Sequence, residues 1–278
     1  MCIRDRPIAD LLAIGNELLN GEVRDTNMFT LSQQLTRMGF SVNCLAMVRD
    51  EPASIATILL FLLAQTPDVL ICSGGLGPTD DDLTLAALAR ALNRPLELNA
   101  VARDLVEGHY DRLLKQNYLM RHGPEVARQK MATLPRGAQP LHNPVGTAPA
   151  VKLTHKNVRI YVLPGVPAEL EAIFAESIVP ELRAHFDLGV WAEQALLIHC
   201  DDEAAVVPLL RDVAGRHPSV YLKSLARPFP SAHREGLRVI AAAHASQSST
   251  AQQIVKQALD DLHKVAEAAG WRVTSLTS

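Results

Sequence analysis

The sequence predicts a doubly wound, mostly parallel α/β sheet followed by a small α+β module. Apolar strand-like runs alternate with helical patterns up to about residue 185. Beyond that point the pattern changes to strand, helix, strand, strand and helix. Alternation of strands and helices is typical of a parallel sheet with helices on both faces. We therefore expect a larger domain over residues 8–188 and a smaller module over residues 189–278.

The elements of the larger domain follow from hydrophobic patterning, proline at helix starts and glycine at helix ends. They are a strand over Ala9–Ile14, a helix between Asp25 and Gly39, a strand over Ser41–Val48, a helix from Pro52 to Leu63, a strand over Asp68–Cys72, helices within residues 100–135, and strands over Ala148–Leu153 and Val158–Leu163. Binding sites on such sheets lie at the carboxyl ends of the strands. The loops after these strands are therefore the candidate site.

The smaller module has five predicted elements. They are strands over Ala195–Cys200, Ser219–Leu225 and Leu237–Ala243, and helices over Glu203–Gly215 and from Ser249 onward.

At the other end of the chain, residues 1–7 are polar and precede the first strand pattern. We interpret them as a non-native or disordered leader and exclude them from the fold.

Composition excludes several classes of partner. The 278 residues are 48% hydrophobic and carry a formal net charge of −3, without a cluster of Lys and Arg. This argues against nucleic acid or a membrane as the partner and favours a small molecule. The four cysteines are far apart and form no CxxC pair, which favours buried reduced thiols and a cytoplasmic protein.

The segment Cys72–Thr84 carries the strongest chemical signal. Gly74, Gly75 and Gly77 follow a predicted buried strand, and three consecutive aspartates at 80–82 precede a helix. Glycines let backbone N–H groups approach a phosphate closely, and a helix start adds positive charge. Clustered carboxylates repel an anion unless a divalent cation neutralises both. The segment therefore predicts a phosphate-binding loop that works with a divalent metal: Mg, Mn or Co.

Each acidic candidate also has a purely structural interpretation. Asp81 and Asp82 are suited to the start of a helix, where the dipole stabilises a carboxylate by about 0.3–1 kcal/mol. Asp50 is placed either to cap the helix that begins at Pro52 or to bind a metal, and Glu17 is either a surface acid or a site residue. Asp25 has the position of a helix cap.

Other catalytic signatures are missing from the sequence. It contains no HExxH, Gly-x-Ser-x-Gly, P-loop or GxGxxG pattern, and its histidines show no metal-ligand spacing. Zinc hydrolysis, serine catalysis and nicotinamide binding of the Rossmann type are therefore unsupported.

The sequence carries a set of motifs: Gly15-Asn16-Glu17-Leu18-Leu19-x-Gly21, Asp25-Thr26-Asn27, Asp50, Gly74-Gly75-Leu76-Gly77-Pro78-Thr79-x-Asp81-Asp82-x-Thr84, Lys130-Met131-Ala132, Asn143-Pro144-x-Gly146-Thr147-Ala148-Pro149 and Pro164-Gly165-Val166-Pro167-x-Glu169. In these motifs the chain resembles the CinA family, whose N-terminal domain shares its fold with the molybdopterin-binding domains. The segment Tyr221–Ser224 resembles the KH-like module that follows in the family. We find no counterpart of the nicotinamide-nucleotide amidase domain of many CinA proteins in these 278 residues, and we do not expect that activity from them.

The resemblance implies a metal-dependent pyrophosphatase that hydrolyses ADP-ribose, or a related dinucleotide such as FAD, to AMP plus a sugar phosphate. It implies that Asp50 and Asp82 hold the metal and that Asp82, with Asp81 or Glu17, is catalytic. The substrate-binding residues it implies are Gly74, Gly75, Gly77, Thr79, Asp25, Asn27, Asn143, Gly165, Pro167 and Glu169. Relatives of this fold also lead us to expect a homodimer or a higher homo-oligomer.

Two other classes of function remain open. The first is a pterin transferase of molybdenum cofactor biosynthesis, which shares the scaffold. The second is a nucleotide-binding protein without catalytic activity. The loop motifs alone do not separate these classes from the hydrolase, because one fold supports several activities.

Overall fold

The structure is a computed structural model that describes residues 6–200, 202–225 and 236–276. Residues 1–5 of the expected leader lie outside the described residues. The chain divides into two compact units. The first consists of Pro7–Leu35 and Phe40–Asp187. Among the described residues, the second consists of Arg6, Thr36–Gly39 and the chain from Leu188 to Leu276.

The first unit is built on a six-stranded sheet. Its strands are β1 (Ile8–Ile14), β2 (Ser41–Val48), β3 (Val69–Ser73), β6 (Gln139–Leu141), β7 (Ala150–His155) and β8 (Val158–Leu163), in the spatial order β2-β1-β3-β8-β7-β6. β1, β2, β3 and β8 run parallel to one another, whereas β7 and β6 add antiparallel pairs at one edge. Two short strands, β4 (Leu96–Leu98) and β5 (Thr133–Pro135), form a separate antiparallel pair.

Eight helices connect or cover these strands in the described residues of this unit. They are α1 (Asn16–Leu19), α2 (Asn27–Met38), α3 (Pro52–Ala64), α4 (Thr84–Ala91), α5 (Ala100–Lys115), α6 (Glu125–Met131), α7 (Pro167–Ile173) and α8 (Val179–His185), with a π-helical turn over Phe174–Ile178 between the last two. Proline opens α3 and α7, and the Asn99 side chain caps α5 by accepting from the Ala102 N–H at 2.9 Å.

The core of this unit lies on both faces of the parallel strands. All five residues of β3 are buried, as are six of the seven residues of β1. Strands that are buried on both faces consist of continuous apolar residues. These strands could therefore be predicted from the sequence. The predicted α/β class is confirmed, with one correction: Thr133–Pro135 is a strand, although residues 100–135 were expected to be helical.

The second unit is an antiparallel four-stranded sheet with two helices in its described residues. Its elements are β9 (Val190–His199), α9 (Glu203–Arg216), β10 (Val220–Leu225), β11 (Leu237–Ala245), α10 (Ser248–Ala268) and β12 (Arg272–Leu276), and the strand order is β10-β11-β9-β12. The last strand was not predicted from the sequence. One face of α10 is buried at three- and four-residue spacing, through Ala251, Val255, Ala258, Leu262 and Ala266. Within the described ranges, the chain has no helix of the length and apolarity needed to cross a membrane.

Candidate functional site

A cavity of about 570 Å³ lies where the four parallel strands of the first unit end. Residues within two positions of the ends of β1, β2, β3 and β8 all contribute to it. Its lining consists of Ile14, Gly15, Glu17, Asp50, Gly74, Gly75, Leu76, Gly77, Pro78, Asp81, Asp82, Thr147, Ala148, Pro164, Gly165, Val166, Pro167 and Glu169. This is the edge at which open α/β sheets bind their ligands. Its volume falls within the range of about 300–1,000 Å³ that is typical of small-molecule sites.

The glycine loop after β3 lies close to neighbouring backbone. Gly74 has a φ of +109°, and a Cβ there would lie 2.0 Å from the Ile14 carbonyl oxygen. Gly75 has a φ of +66°, and its Cβ would lie 2.2 Å from Thr84 Oγ1. The Thr84 hydroxyl is buried and donates to the Gly74 carbonyl at 2.8 Å, so the first turn of α4 holds the loop in place. These two positions require glycine on both steric and conformational grounds.

Three consecutive amides in this loop form no hydrogen bond with a described residue. They belong to Gly75, Leu76 and Gly77. The Gly74 amide differs, because it donates to the Leu163 carbonyl at 3.0 Å. It is therefore not available to a ligand, contrary to the expectation that the whole loop from Gly74 binds phosphate. Amides without a protein partner at a cavity wall are suited to donate to a ligand oxygen.

Asp82 lies across the loop rather than at a helix cap. Its Oδ2 accepts from both the backbone N–H of Thr79, at 2.9 Å, and the Thr79 hydroxyl. A Cβ at Gly77 would lie 2.5 Å from the same oxygen, so glycine is also needed to admit this carboxylate. Helix α4 begins at Thr84 without a side-chain cap. Asp82 therefore does not cap α4 with a hydrogen bond, although it lies two residues before the helix, where the dipole still favours a carboxylate.

The neighbouring Asp81 is exposed, and its surroundings favour the ionised carboxylate. Its pKa is lowered first by the Thr79 side chain and also by its own backbone and by Lys130. The Thr79 hydroxyl donates its hydrogen bond to Asp82. A hydroxyl has one proton, so it donates to Asp81 or to Asp82 but not to both at once. The Lys130 ammonium also donates to the Thr79 carbonyl, so this lysine holds the turn that carries both acids.

Asp50 faces the loop after β1. Its Oδ2 accepts from the Asn16 N–H at 2.8 Å, whereas Glu51 occupies the cap position of α3 and forms no capping bond. The interpretation of Asp50 as the cap of α3 is therefore wrong. Burial raises the pKa of Asp50, the Asn16 hydrogen bond opposes this, and three nearby negative charges raise it further: Glu17, Asp81 and Asp82. Four carboxylates thus interact across one cavity.

The carboxylates fit a cation that arrives with its ligand. In the described part of the chain, no group of three or more His, Cys, Asp or Glu residues is arranged to hold a metal. A resident metal site supplied by protein side chains alone needs such a group. Mg²⁺, in contrast, is commonly bound by one or two carboxylates plus substrate phosphates and water. Asp50 and Asp82 match that second donor set.

The opposite wall is formed by Glu169, in the first turn of α7. Asn143, which is 4% exposed, donates from Nδ2 to Glu169 Oε2 at 2.6 Å and accepts from the Gly146 N–H at 2.8 Å. A Cβ at Gly146 would lie 2.1 Å from the Glu169 carboxyl carbon. Burial raises the pKa of Glu169, and the Asn143 hydrogen bond partly offsets this.

Asn27 positions a second loop of the site. Its Nδ2 donates to the Gly165 carbonyl at 2.7 Å and to Ser73 Oγ at 3.2 Å. Ser73 Oγ in turn donates to the Pro164 carbonyl at 3.1 Å, so it acts in structure rather than as a nucleophile. Asp25 accepts from the Met28 N–H at 3.0 Å and thereby caps α2.

The structure brings ten of the sequence-predicted site residues to the cavity. They are Glu17, Asp50, Gly74, Gly75, Gly77, Asp81, Asp82, Gly165, Pro167 and Glu169. Four others, Thr79, Asp25, Asn27 and Asn143, do not line it and instead bond to residues that do, or cap a helix. Sequence reasoning assigned no role to Thr147 and Ala148, although both stand inside a motif that it had noted.

The fold and the cavity define an α/β protein with a small-molecule site at the carboxyl ends of its parallel strands. Residues 10–184 match the family described as "Probable molybdopterin binding domain". The chain belongs to this family, and its fold is similar to that of a CinA protein.

Several known proteins are similar to this chain. A protein of Thermococcus kodakarensis is 37% identical over 208 residues, covering 75% of this chain and 81% of that one. A protein of Pyrobaculum arsenaticum is 36% identical over 252 residues, covering 91% of this chain and 92% of the relative, so the similarity extends into the second unit. The crystal structure of CinA from Thermoplasma acidophilum, a protein of unknown function, has 29% identity and a TM-score of 0.57, covering 63% of this chain and 98% of that one.

Proposed function

We propose that this protein hydrolyses the diphosphate linkage of ADP-ribose, or of a related dinucleotide such as FAD, to AMP and a second phosphate monoester. The observation that carries this proposal is the pairing, in one cavity, of three unpartnered amides with four interacting carboxylates. Amides favour phosphate oxygens and carboxylates oppose them. A diphosphate accompanied by a divalent cation satisfies both groups at once.

Binding of the diphosphate is assigned to the glycine loop. The N–H groups of Gly75, Leu76 and Gly77 donate to phosphate oxygens, and such donors stabilise the charge that builds up as the P–O bond breaks. Asp50 and Asp82 would hold the divalent cation, Mg, Mn or Co, which supplies neutralisation of the phosphate oxygens.

The attacking water is assigned to the remaining acids. Asp81 or Glu17 orients a water molecule and accepts its proton as the water oxygen bonds to phosphorus. The bond from that phosphorus to the bridging oxygen then breaks, and the bridging oxygen leaves with the second phosphate group. Both acids line the cavity, which is the geometric requirement for this role.

The decisive experiment is release of AMP from ADP-ribose, FAD and NAD with Mg²⁺, Mn²⁺ or Co²⁺ in turn. We expect turnover that requires metal and falls by about 10²-fold or more in Asp82→Asn, since the substitution removes a charge from the phosphate site. Asp80→Asn is the matched control, because Asp80 is an exposed neighbour that does not line the cavity. Unchanged turnover in Asp82→Asn would contradict the assignment.

A second candidate is a molybdopterin-binding transferase. It is favoured by the family match over residues 10–184. Pterin fluorescence that copurifies with the protein, together with no hydrolysis under any metal, would support it. Tight ADP-ribose binding without hydrolysis would instead indicate a nucleotide-binding protein without catalytic activity.

We also propose that the protein is a homodimer or a higher homo-oligomer. This proposal rests on the resemblance to relatives of the same fold. Light scattering coupled to size-exclusion chromatography measures it directly, because a monomer of this chain has a mass of 30.3 kDa.

A further inference from the structure

A second, smaller cavity of about 130 Å³ adjoins the loop at residues 143–149. Helix α5 supplies one of its walls through Asp104, His109 and Arg112, and His142 lies beside them. Thr147 lines both this cavity and the larger one. The two cavities are therefore joined by one loop, but none of the acidic residues of the larger cavity lines the smaller one.

The most unusual residue in this second cavity is His109. This residue is only 7% exposed, and neither ring nitrogen forms a hydrogen bond with any residue in the described ranges. Neither nitrogen is among the fully enclosed polar atoms, so both retain some accessible surface. A mostly buried ring whose nitrogens are accessible and have no protein partner is suited to bond to a molecule in the cavity that it lines.

The charges around His109 indicate which sign of charge a molecule in this cavity would carry. Arg112 and His142 form no ion pair with any residue that the structure describes. Asp104, the one carboxylate in the lining, already faces Arg103 at 3.4 Å and is exposed. The cavity thus combines a buried imidazole with a guanidinium and a second imidazole, and its single acid is partly neutralised.

We propose that this cavity binds a phosphate group, held by Arg112, His142 and His109. A guanidinium presents paired donors that match phosphate oxygens, and the imidazoles add further N–H donors. The volume of about 130 Å³ is well below that of a pocket for a whole nucleoside and suits one small oxyanion. The group is either free inorganic phosphate or a phosphate monoester carried by a larger ligand.

The electrostatics of the pocket agree with this geometry. The pKa of His109 is lowered, first by burial and then by the positive charges of Arg112 and His142. A bound dianion reverses the effect of those charges and favours the protonated ring. Occupancy by phosphate therefore raises the pKa of His109, whereas occupancy by water leaves it low.

The test is a histidine NMR titration of the full chain with inorganic phosphate, referenced to sodium chloride of equal ionic strength. We expect a saturable rise in the pKa of His109. Arg112→Gln weakens phosphate binding about tenfold, which is the size expected for one charge-assisted contact. Lys115→Gln removes the same charge from the same helix outside the cavity and leaves binding unchanged.

Two results would overturn the proposal. One is a His109 titration that is identical in phosphate and in chloride, and the other is equal phosphate binding in Arg112→Gln and the parent chain. Arg112 and His142 are both exposed, so Arg112→Gln and His142→Gln preserve folding and keep the test interpretable. This binding is measured without turnover, so it stands or falls separately from hydrolysis in the larger cavity.

The source of the phosphate follows from a second titration with the larger cavity filled by ADP-ribose. If inorganic phosphate still shifts His109 and ribose 5-phosphate no longer does, the pocket accepts free phosphate beside a bound nucleotide. If ADP-ribose blocks both, the pocket and the larger cavity share one ligand that carries a phosphate monoester. Either result supports a phosphate site.

Discussion

The Asn143 side-chain amide donates a 2.6 Å hydrogen bond to Glu169 Oε2 and so ties the loop after β6 to the first turn of α7. The same amide group donates to the Ala148 carbonyl at 2.8 Å, and its oxygen accepts from Gly146. One buried side chain therefore shapes the loop that separates the two cavities. The Asn143 hydrogen bond also lowers the pKa of Glu169 and so offsets part of the rise that burial causes.

Replacing Asn143 with Ala should destabilise the first unit by about 2–4 kcal/mol, because buried donors and acceptors each cost roughly 1–3 kcal/mol when left unpaired. Urea unfolding followed by circular dichroism measures the loss. Glu169→Gln is the matched control, since glutamine keeps the acceptor oxygen and removes the buried charge. A loss of less than about 0.5 kcal/mol in Asn143→Ala, the usual size of a surface effect, would contradict the buried role.

Gly75→Ala should destabilise the protein and abolish ligand binding. At a φ of +66° an alanine is strained by about 1–3 kcal/mol, and its Cβ would lie 2.2 Å from Thr84 Oγ1. The Thr84 bond to Gly74 would then break. Gly108→Ala is the control, because Gly108 lies within α5 with nothing near its Cβ position.

The control variant should be more stable than the parent by about 0.5–1 kcal/mol, as expected for Gly to Ala in an exposed helix. Thermal unfolding compares the two variants, and isothermal titration calorimetry with ADP-ribose and Mg²⁺ reports binding. Equal stability of the two would mean that the loop after β3 relaxes around the added methyl group.

Lys130→Gln should raise KM for ADP-ribose by about fivefold with a smaller change in kcat. The ammonium anchors the Thr79 carbonyl and helps to lower the pKa of Asp81, but both contacts are near the surface, where water and salt weaken such pairs. Steady-state kinetics at low salt measures the effect. Lys115→Gln controls for the change in net charge, and an unaltered KM in Lys130→Gln would exclude this anchoring role.

The parallel strands were predictable because their signals are local. Ser41–Val48 and Val158–Leu163 were predicted to the residue, since each is a β-branched or apolar run bounded by turn residues. Apart from the last strand, Arg272–Leu276, the strands that were missed have three residues each, such as Leu96–Leu98 and Gln139–Leu141. Three residues are too few to show a period of two, so only pairing in the folded chain defines them.

The site was predictable only in outline, for a similar reason. Fold class placed Asp50 and the glycine loop at one edge, but the Asp50 bond to Asn16 joins loops that are 34 residues apart. From the sequence alone, a cap for the helix at Pro52 and a metal ligand were equally suitable roles for Asp50. His109 gave no signal, because its burial against Arg112 and His142 depends on how α5 packs on the loop at residues 143–149.

Asp50 should make stability fall as pH rises above its ordinary pKa. Burial, followed by the charges of Glu17, Asp81 and Asp82, raises its pKa in the folded chain above the ordinary value of 3.8. Just above that pH the unfolded chain has lost a proton that the folded chain keeps, so deprotonation costs folding free energy until the folded pKa is passed. Asp50→Asn should remove this dependence in urea unfolding measured from about pH 3 to pH 7.

The charges that act on Asp50 can be separated by a second variant. Asp82→Asn removes one negative charge and should lower the pKa of Asp50, whereas Asp80→Asn should not, because Asp80 is not among the groups that raise it. Carbon-13 NMR of the Asp50 carboxyl reports the pKa directly. Saturating Mg²⁺ should also lower the pKa of Asp50 in the parent chain, since a cation favours the charged carboxylate. An Asp50 pKa that is equal in the parent, Asp82→Asn and Mg²⁺-saturated protein would mean that the carboxylates do not form one cation-binding group.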